Sequence, residues 1–448
     1  RRYGKMESKE ELRLVRSLST KDLIIYGIIF MIPVAPVAFY GSFLTPAHGM
    51  VALAYLVGMI AMLFTGFSYA TMAQHYPYAG SVYTYVQRGT NPSLGFLGGW
   101  GITLDYILIP TITYLISASF GHELLPLIPT WAWIVGIVIF NTIVNLAGVN
   151  IVAKFSWVLF GLQILVLGIY LVGVVRLLVL GQIHPNVVAV YNPTQFNFNG
   201  VLQATGIVIV SYLGFDAIST LAEEANDPRH SVGRAIVGAI LGIGSLFVIT
   251  TLLAGWVWPN YQALNPNTAF SSILNAVGGP NLVRITDIVV VLSFGLAGGQ
   301  EGQTAISRIL YAMGRDGILP RQLAFLHPKY RTPWVAIIFV GLASLVLSLT
   351  LNQDTVSNLV SFGALFGFLL LNLAVIWRFF IKNPNKGLNN VVRYLISPLI
   401  GFGVSLWIFL NLALSAKLVG LGWLLVGIAI LLYQTAFFTK PVPHLNFS

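Results

Sequence analysis

Twelve long apolar segments, each of a length that crosses a membrane, constrain this sequence more than any other feature. They fall near residues 22–45, 50–73, 94–119, 129–149, 152–177, 200–222, 235–257, 283–312, 333–351, 356–380, 392–414 and 418–438. Charged residues are 8% of the chain, whereas soluble domains carry about 25%. Such a chain cannot cover a water-facing surface, so the sequence predicts an all-α integral membrane protein with 12 transmembrane helices.

The distribution of lysine and arginine predicts the orientation of these helices. If the N-terminus is cytoplasmic, all but three of the 24 basic residues fall on the inner side, the exceptions being Arg176, Arg284 and Lys417. Cytoplasmic loops of membrane proteins are enriched in these residues, so we expect a multi-pass protein of the plasma membrane with both termini in the cytoplasm. The same bias explains the net charge of +10 without nucleic-acid binding. The first 21 residues lack the apolar core of a cleavable signal peptide.

Two of the predicted spans contain residues that interrupt a helix. Pro33 and Pro36 lie in the middle of helix 1, and Gly214 lies inside helix 6. An interior proline removes a backbone donor and clashes with the preceding turn. Paired breaks in the first helices of two sets of five indicate an inverted-repeat transporter with its site at the breaks, although proline and glycine are also common in membrane helices in general.

This reading divides the chain into five parts. They are a cytoplasmic N-terminal segment (1–21), a first repeat of helices 1–5 (22–178), a second repeat of helices 6–10 (200–380), helices 11 and 12 (392–438) and a cytoplasmic C-terminal tail (439–448).

Three stretches carry a family resemblance. They are HYPYAGSVYTYVQRGTNPSLGFLGGWGITLDY (75–106), GFDAISTLAEEANDPRHSVGRAI (214–236) and AISRILYAMGRDGILPRQLAFLHPKYRTP (305–333). Together they resemble the amino acid–polyamine–organocation (APC) superfamily of secondary transporters, in order along essentially the whole chain. Among its branches the sequence is most similar to bacterial importers of amines and polyamines such as putrescine, followed by cationic and neutral amino acid permeases.

The resemblance implies an architecture and a site. It implies a LeuT-like 5+5 inverted repeat with discontinuous helices 1 and 6, plus two peripheral helices. Substrate is expected at mid-membrane between helices 1 and 6, with helices 3 and 8 completing the site, and transport is expected to proceed by alternating access.

Helix 6 supplies the residues around its predicted break. Asp216 has two interpretations: it binds a substrate ammonium or a proton, since a buried ionisable group tends to face a cavity or a partner, or it caps the helix that restarts after Gly214. Ser211 and Tyr212 lie beside the break, where free carbonyls could accept an amine. Phe215 is the predicted gate or stacking wall.

Helix 1 supplies Ile32, Pro33, Val34 and Ala35, within the stretch IPVAPVAF. Amino acid permeases of the superfamily usually have a glycine-rich turn here, whose free N–H groups bind a substrate carboxylate at a helix N-terminus. Prolines at 33 and 36 remove two such donors. This departure favours an amine without a carboxylate.

Two further carboxylates complete the predicted site. Asp105 lies on helix 3 with Tyr106 beside it, and either a structural role or a substrate-gating role fits that position. Glu301 lies on helix 8 among glycines that permit close helix approach. It is a candidate proton carrier or counter-charge, and the alternative is a hydrogen bond or ion pair within the protein.

Coupling and chemistry are constrained by what the sequence lacks. Some proton-coupled relatives carry a lysine in helix 5, where this chain has Gln163; Thr304 and Ser307 could offer oxygen ligands to sodium. Catalytic, nucleotide-binding and metal-binding motifs are absent, so no enzyme activity, metal or cofactor is predicted. We expect a transporter of a small amine, polyamine or cationic amino acid, in contact with membrane lipid and with a proton as a candidate coupling ion. A neutral amino acid permease is the alternative, and a channel is a distant one.

Overall fold

The computed structural model describes residues 18–77, 82–148, 151–315, 317, 319–383 and 387–436, without the side chains of 151–156, 223 and 267. The α-helices are α1 (Thr20–Phe30), α2 (Ala35–Leu44), α3 (Val51–His75), α4 (Val82–Gly89), α5 (Pro92–Leu124), α6 (Thr130–Ala147), α7 (Ile151–Val179), α8 (Phe198–Tyr212), α9 (Pro228–Val257), α10 (Ala269–Val290), α11 (Gly299–Arg315), α12 (Trp334–Thr350), α13 (Gln353–Val375), α14 (Leu388–Val391), α15 (Ser397–Asn411) and α16 (Leu414–Gln434). The remaining helical turns are 3₁₀ helices at Asp216–Glu224, Tyr261–Ala263, Pro266–Thr268 and Arg321–Ala324, and π-helices at Val291–Gly298, Ile376–Ile381 and Val392–Ile396.

The predicted spans agree with these helices closely but not in number. Ten described helical stretches are long and apolar enough to cross a membrane, and α1 with α2 forms an eleventh, broken span. α12 occupies the position of the predicted ninth span but is shorter, at 17 residues. A multi-pass helical membrane protein is therefore confirmed, whereas the count of twelve full-length spans is not.

The first predicted break lies between α1 and α2, which meet at an angle of 47°. Ile32 has a φ of 51°, a left-handed conformation that is costly for a β-branched residue. Pro36 lies in the first turn of α2, where backbone N–H groups have no acceptor within the helix, so a proline there costs no helical hydrogen bond. The two prolines thus end one helix and begin the next.

The second predicted break follows α8. Gly214 has a φ of 118°, which glycine adopts without steric cost, and a 3₁₀ helix then runs from Asp216 to Glu224. A Cβ atom on Gly214 would lie 2.9 Å from the Cδ1 atom of Phe30, the last residue of α1. The absence of a side chain at Gly214 therefore lets the two breaks meet.

Two helical segments lie between the predicted spans. The chain between the predicted spans 235–257 and 283–312 contains the first part of α10, which turns at Gly279 (φ 72°). The short amphipathic helix α4 lies between α3 and α5, where no helix was predicted, because its eight residues are too few to resemble a span.

Hydrogen bonds between buried polar side chains connect the helices around the site. Asn141 of α6 donates to the carbonyl of Gly295 in the π-helix (2.7 Å). Asn145, one turn later, accepts from the hydroxyl of Thr304 in α11 (2.5 Å) and donates to Gln303 (3.2 Å). Hydrogen bonds of this kind replace the hydrophobic driving force that helices in lipid lack, so α11 is held against α6 on the side away from the breaks.

Candidate functional site

A cavity lies where the two broken helices meet. Its empty volume, including the open solvent at its mouth, is about 790 Å³. Its walls come from α1, α2, α5, α8, α11, the 3₁₀ helix and the π-helix. These elements correspond to the predicted helices 1, 3, 6 and 8, so the cavity lies where the sequence placed the site.

Eight of the twelve predicted site residues line this cavity. They are Ile32, Ala35, Asp105, Tyr106, Ser211, Gly214, Asp216 and Glu301.

The other four are packed elsewhere. Phe215, the predicted gate or stacking wall, is fully buried and makes an edge contact with Tyr69 (ring centroids 5.5 Å apart). The Tyr212 hydroxyl donates to the carbonyl of Tyr55 (2.9 Å). Pro33 and Val34 are buried behind the break. These positions stabilise the broken helices instead of facing the cavity, because a tight turn directs neighbouring side chains to opposite sides.

Three aromatic residues of the cavity wall were not predicted from the sequence. Phe30, Phe39 and Phe294 line the cavity, and the rings of Phe39 and Phe294 meet edge to face with centroids 6.1 Å apart. Helical spacing could have identified two of them. Phe39 lies one turn after Ala35, and Phe294 lies two turns before Glu301, so each shares a helix face with a predicted site residue.

The carboxylates of Asp105 and Asp216 lie in the same part of the cavity. Asp105 is 3% exposed, and within the described part of the chain its Oδ1 atom has no hydrogen-bond partner. Both residues line this one cavity. An Oδ1 atom of Asp216, by contrast, accepts from the N–H of Gly214 (3.2 Å). Asp216 thus supports the backbone of the break as well as lining the cavity, whereas Asp105 retains an unused acceptor.

The break in helix 1 offers few donors to a ligand. The N–H of Ile32 donates to Ile29 O (3.2 Å) and that of Ala35 donates to Ile32 O (2.8 Å). The N–H of Val34 donates to Oε1 of Gln163, 129 residues away in α7 (3.3 Å). Pro33 has no N–H. Every N–H from Ile32 to Ala35 therefore has an acceptor within the protein, and none is left for a substrate carboxylate.

A second, smaller cavity lies behind the break. It is lined by Ile29, Ile32, Leu159, Gln163, Ser293, Ala297, Gly298 and Glu301. Ile32, Gly298 and Glu301 also line the main cavity. Glu301 therefore borders both spaces.

The predicted sodium ligands are not directed to this region. The Thr304 hydroxyl donates to Asn145 and to the carbonyl of Gln300 (2.8 Å). Neither Thr304 nor Ser307 lines either cavity. Among the residues with described positions, no group of three or more His, Asp or Glu side chains could hold a metal ion.

The charge of the main cavity has one sign. Its charged lining residues in the described chain are the carboxylates Asp105, Asp216 and Glu301, and no Lys, Arg or His is among them. Carboxylates attract cations strongly where water is scarce. The remaining lining is largely apolar and aromatic, which suits the methylene chain of an amine and the face-on approach of an ammonium to a ring.

Comparison with known proteins gives matches along nearly the whole chain. Residues 19–443 match the family model described as amino acid permease. The low-affinity putrescine importer PlaP of Escherichia coli (strain K12) is 32% identical, over 98% of this chain and 97% of that protein. The branched-chain amino acid permease BcaP of Bacillus subtilis (strain 168) is 29% identical, over 94% of this chain and 93% of that protein.

A solved structure with the same fold is that of MhsT in complex with L-phenylalanine. It has a TM-score of 0.59 and 14% sequence identity, and the match covers 89% of this chain and 99% of that chain. MhsT is a LeuT-fold transporter, so the likeness confirms the fold expected from the sequence.

Proposed function

Because this chain belongs to the amino acid permease family of the APC superfamily, we propose that it moves a small organic amine or polyamine across the plasma membrane by alternating access. A cationic amino acid is the second substrate class that the acidic cavity suits. The protein is a membrane transporter and not an enzyme. We place both termini in the cytoplasm, as the distribution of basic residues favours.

The observation that carries the substrate class is Asp105, which lines the cavity and whose buried Oδ1 atom has no hydrogen-bond partner among the described residues. A buried polar atom without a partner costs about 1–3 kcal/mol. A substrate ammonium at this position would supply the missing donor and a compensating charge. Asp216, which lines the same cavity, would offer the ammonium a second carboxylate.

The backbone of the helix 1 break supports an amine in preference to an amino acid. An amino acid needs donors for its carboxylate as well as acceptors for its ammonium. The N–H groups of Ile32, Val34 and Ala35 are all engaged, and the lining residues include no basic side chain. The similarity to a putrescine importer agrees with this preference.

A neutral amino acid permease is the alternative. The 29% identity to a branched-chain amino acid permease favours it. So does the hydrogen bond from Gly214 to Asp216, which gives this carboxylate a structural use that needs no cationic ligand.

We further propose that Glu301 couples transport to protons. Glu301 lines the substrate cavity and the smaller cavity that Gln163 also borders. A carboxylate between two spaces can exchange a proton on one side while it contacts substrate on the other, and acid–base coupling requires such access.

A ligand panel tests the substrate class directly. Purified protein is heated with putrescine, agmatine, arginine, alanine or leucine, because a ligand that binds the native state raises its melting temperature. We expect the two amines without a carboxylate to give the largest shifts, with arginine next. Shifts with alanine or leucine alone would reject the amine proposal in favour of the neutral permease.

A further inference from the structure

Four exposed basic side chains surround the C-terminal end of α3, on the side that the proposed orientation places in the cytoplasm. They are Arg88, Arg378, Lys382 and Arg393, and we refer to them as the basic cluster. Arg378 lies in the π-helix that follows α13, and Arg393 lies in the π-helix that precedes α15. Two adjacent spans therefore bring their arginines to the end of a third.

Both arginines are held in place by neutral side chains of α3 and its last turn. The Nε atom of Arg378 donates to the hydroxyl of Tyr76 (3.1 Å), and that hydroxyl in turn lies 3.5 Å from the carbonyl of Arg88. The Nη2 atom of Arg393 donates to the amide oxygen of Gln74. A guanidinium has five N–H donors, so each keeps most of its planar fork for a further acceptor.

An aromatic group fixes the spacing of the two arginines. The ring of His75 lies 4.3 Å from that of Phe379, and Phe379 lies 5.4 Å from Tyr394. The guanidinium of Arg393 is 5.4 Å from the ring centre of Tyr394. The two charges are thus mounted on a packed surface, which lowers the entropy lost when they bind a ligand.

The basic cluster lacks acidic neighbours along the chain. No Asp or Glu occurs between Asp22 and Asp105, and none follows Asp354. The helices that contribute the cluster therefore offer it no carboxylate. The negative end of the α3 dipole also attracts cations. This attraction does not occupy the N–H donors of the arginines, whose hydrogen bonds go to a tyrosine hydroxyl and a glutamine amide.

We propose that the basic cluster binds the phosphate headgroup of an anionic phospholipid in the inner leaflet. Arginine forks match phosphate oxygens in a bidentate way, and basic pockets between the cytoplasmic ends of spanning helices suit anionic headgroups. The exposed ring of Trp377 and the partly exposed ring of Tyr394 are next to Arg378 and Arg393 in the sequence, and aromatic residues of this kind are enriched at membrane interfaces. A lipid bound here connects the ends of α3, α13 and α15, and α3 and α13 are also joined further along by the hydrogen bond between Ser68 and Asn372 (2.5 Å).

The test measures lipid binding to the full chain. Native mass spectrometry gives apparent affinities for phosphatidylglycerol and for phosphatidylcholine with identical acyl chains. The wild type is expected to prefer phosphatidylglycerol, and Arg378→Gln with Arg393→Gln is expected to lower that affinity about 30-fold, since each basic residue near a membrane surface contributes about a fivefold factor. Affinity for phosphatidylcholine should not change.

A matched double variant, Arg229→Gln with Arg234→Gln, removes two exposed arginines at the start of α9, on the same side. It should retain the phosphatidylglycerol affinity. An equal loss in this control, or no loss in the first variant, would overturn the proposal, and so would equal binding of soluble glycerol phosphate. If the first double variant melts early in phosphatidylcholine, the single variants Arg378→Gln and Arg393→Gln decide, each with an expected loss of about fivefold.

Discussion

Asp105 and Asp216 contribute the same charge to the same cavity, yet the structure predicts different consequences for replacing each with asparagine. Asp105 has a buried Oδ1 atom without a partner in the described chain. Asp216 accepts the N–H of Gly214. We expect Asp105→Asn to abolish most amine binding and Asp216→Asn to weaken it by only a few fold.

The expected loss of affinity or stability follows from the buried position of each carboxylate. Removing one charge from a buried, hydrogen-bonded charge pair costs about 2–5 kcal/mol, so Asp105→Asn should reduce amine affinity on the order of 30-fold or more. Asn at 216 keeps a carbonyl oxygen that can accept from Gly214, so the break should survive. Asp216→Ala removes that acceptor and should lower the free energy of unfolding by about 1–3 kcal/mol, because a buried N–H is left unsatisfied.

The assay combines binding and stability on the same preparations. Putrescine binding is titrated by calorimetry for wild type, Asp105→Asn and Asp216→Asn, and melting temperatures without ligand are compared for Asp216→Asn and Asp216→Ala. A larger loss of affinity in Asp216→Asn than in Asp105→Asn would refute the reasoning. It would make Asp216 the principal ligand and its contact with Gly214 secondary.

Three other substitutions test the break and the coupling. Gln163→Met should lower the free energy of unfolding by about 1–3 kcal/mol, because the buried N–H of Val34 loses its acceptor; an unchanged melting temperature would contradict this. Glu301→Gln should remove the dependence of liposome uptake on an inward proton gradient, and full retention of that dependence would exclude Glu301 as the proton carrier. Gly214→Ala should destabilise the protein by about 1–3 kcal/mol, because alanine is strained at a positive φ. Gly403→Ala, at a helical position with open space around it, should melt like the wild type, and an equal loss there would show a general effect of helix glycines.

The breaks were predictable from sequence because their cause is local. Pro33 and Pro36 lack the N–H groups that a continuous helix needs, and Gly214 is the residue for a positive φ. The cavity-facing positions next to them were predictable only in part. Phe215 was expected in the cavity and is buried against Tyr69. Which way a side chain leaves an irregular turn depends on dihedral angles that helical periodicity does not determine.

The role of Asp105 depends on residues far away in the sequence and was therefore also difficult to predict. Sequence alone places Asp105, Asp216 and Glu301 within apolar spans and does not show which of them has a hydrogen-bond partner. What separates them is the hydrogen bonding of each, and that depends on residues brought close only by folding. Gly214 is two residues from Asp216, so a structural interpretation of Asp216 was available from the sequence. No local pattern shows that Asp105 keeps an acceptor unused.

The contact between Gln163 and Val34 connects the architecture of the break to the choice of substrate. A broken membrane helix exposes backbone donors that must be satisfied. In a glycine-rich break those donors are available to a substrate carboxylate. Here two prolines remove donors, Ile29 and Ile32 carbonyls accept two others, and a side chain from α7 accepts that of Val34. These hydrogen bonds stabilise the break without substrate. They also leave the cavity with acceptors and no free donors at this position. An ammonium, which donates hydrogen bonds, fits such a site, whereas a carboxylate, which accepts them, does not.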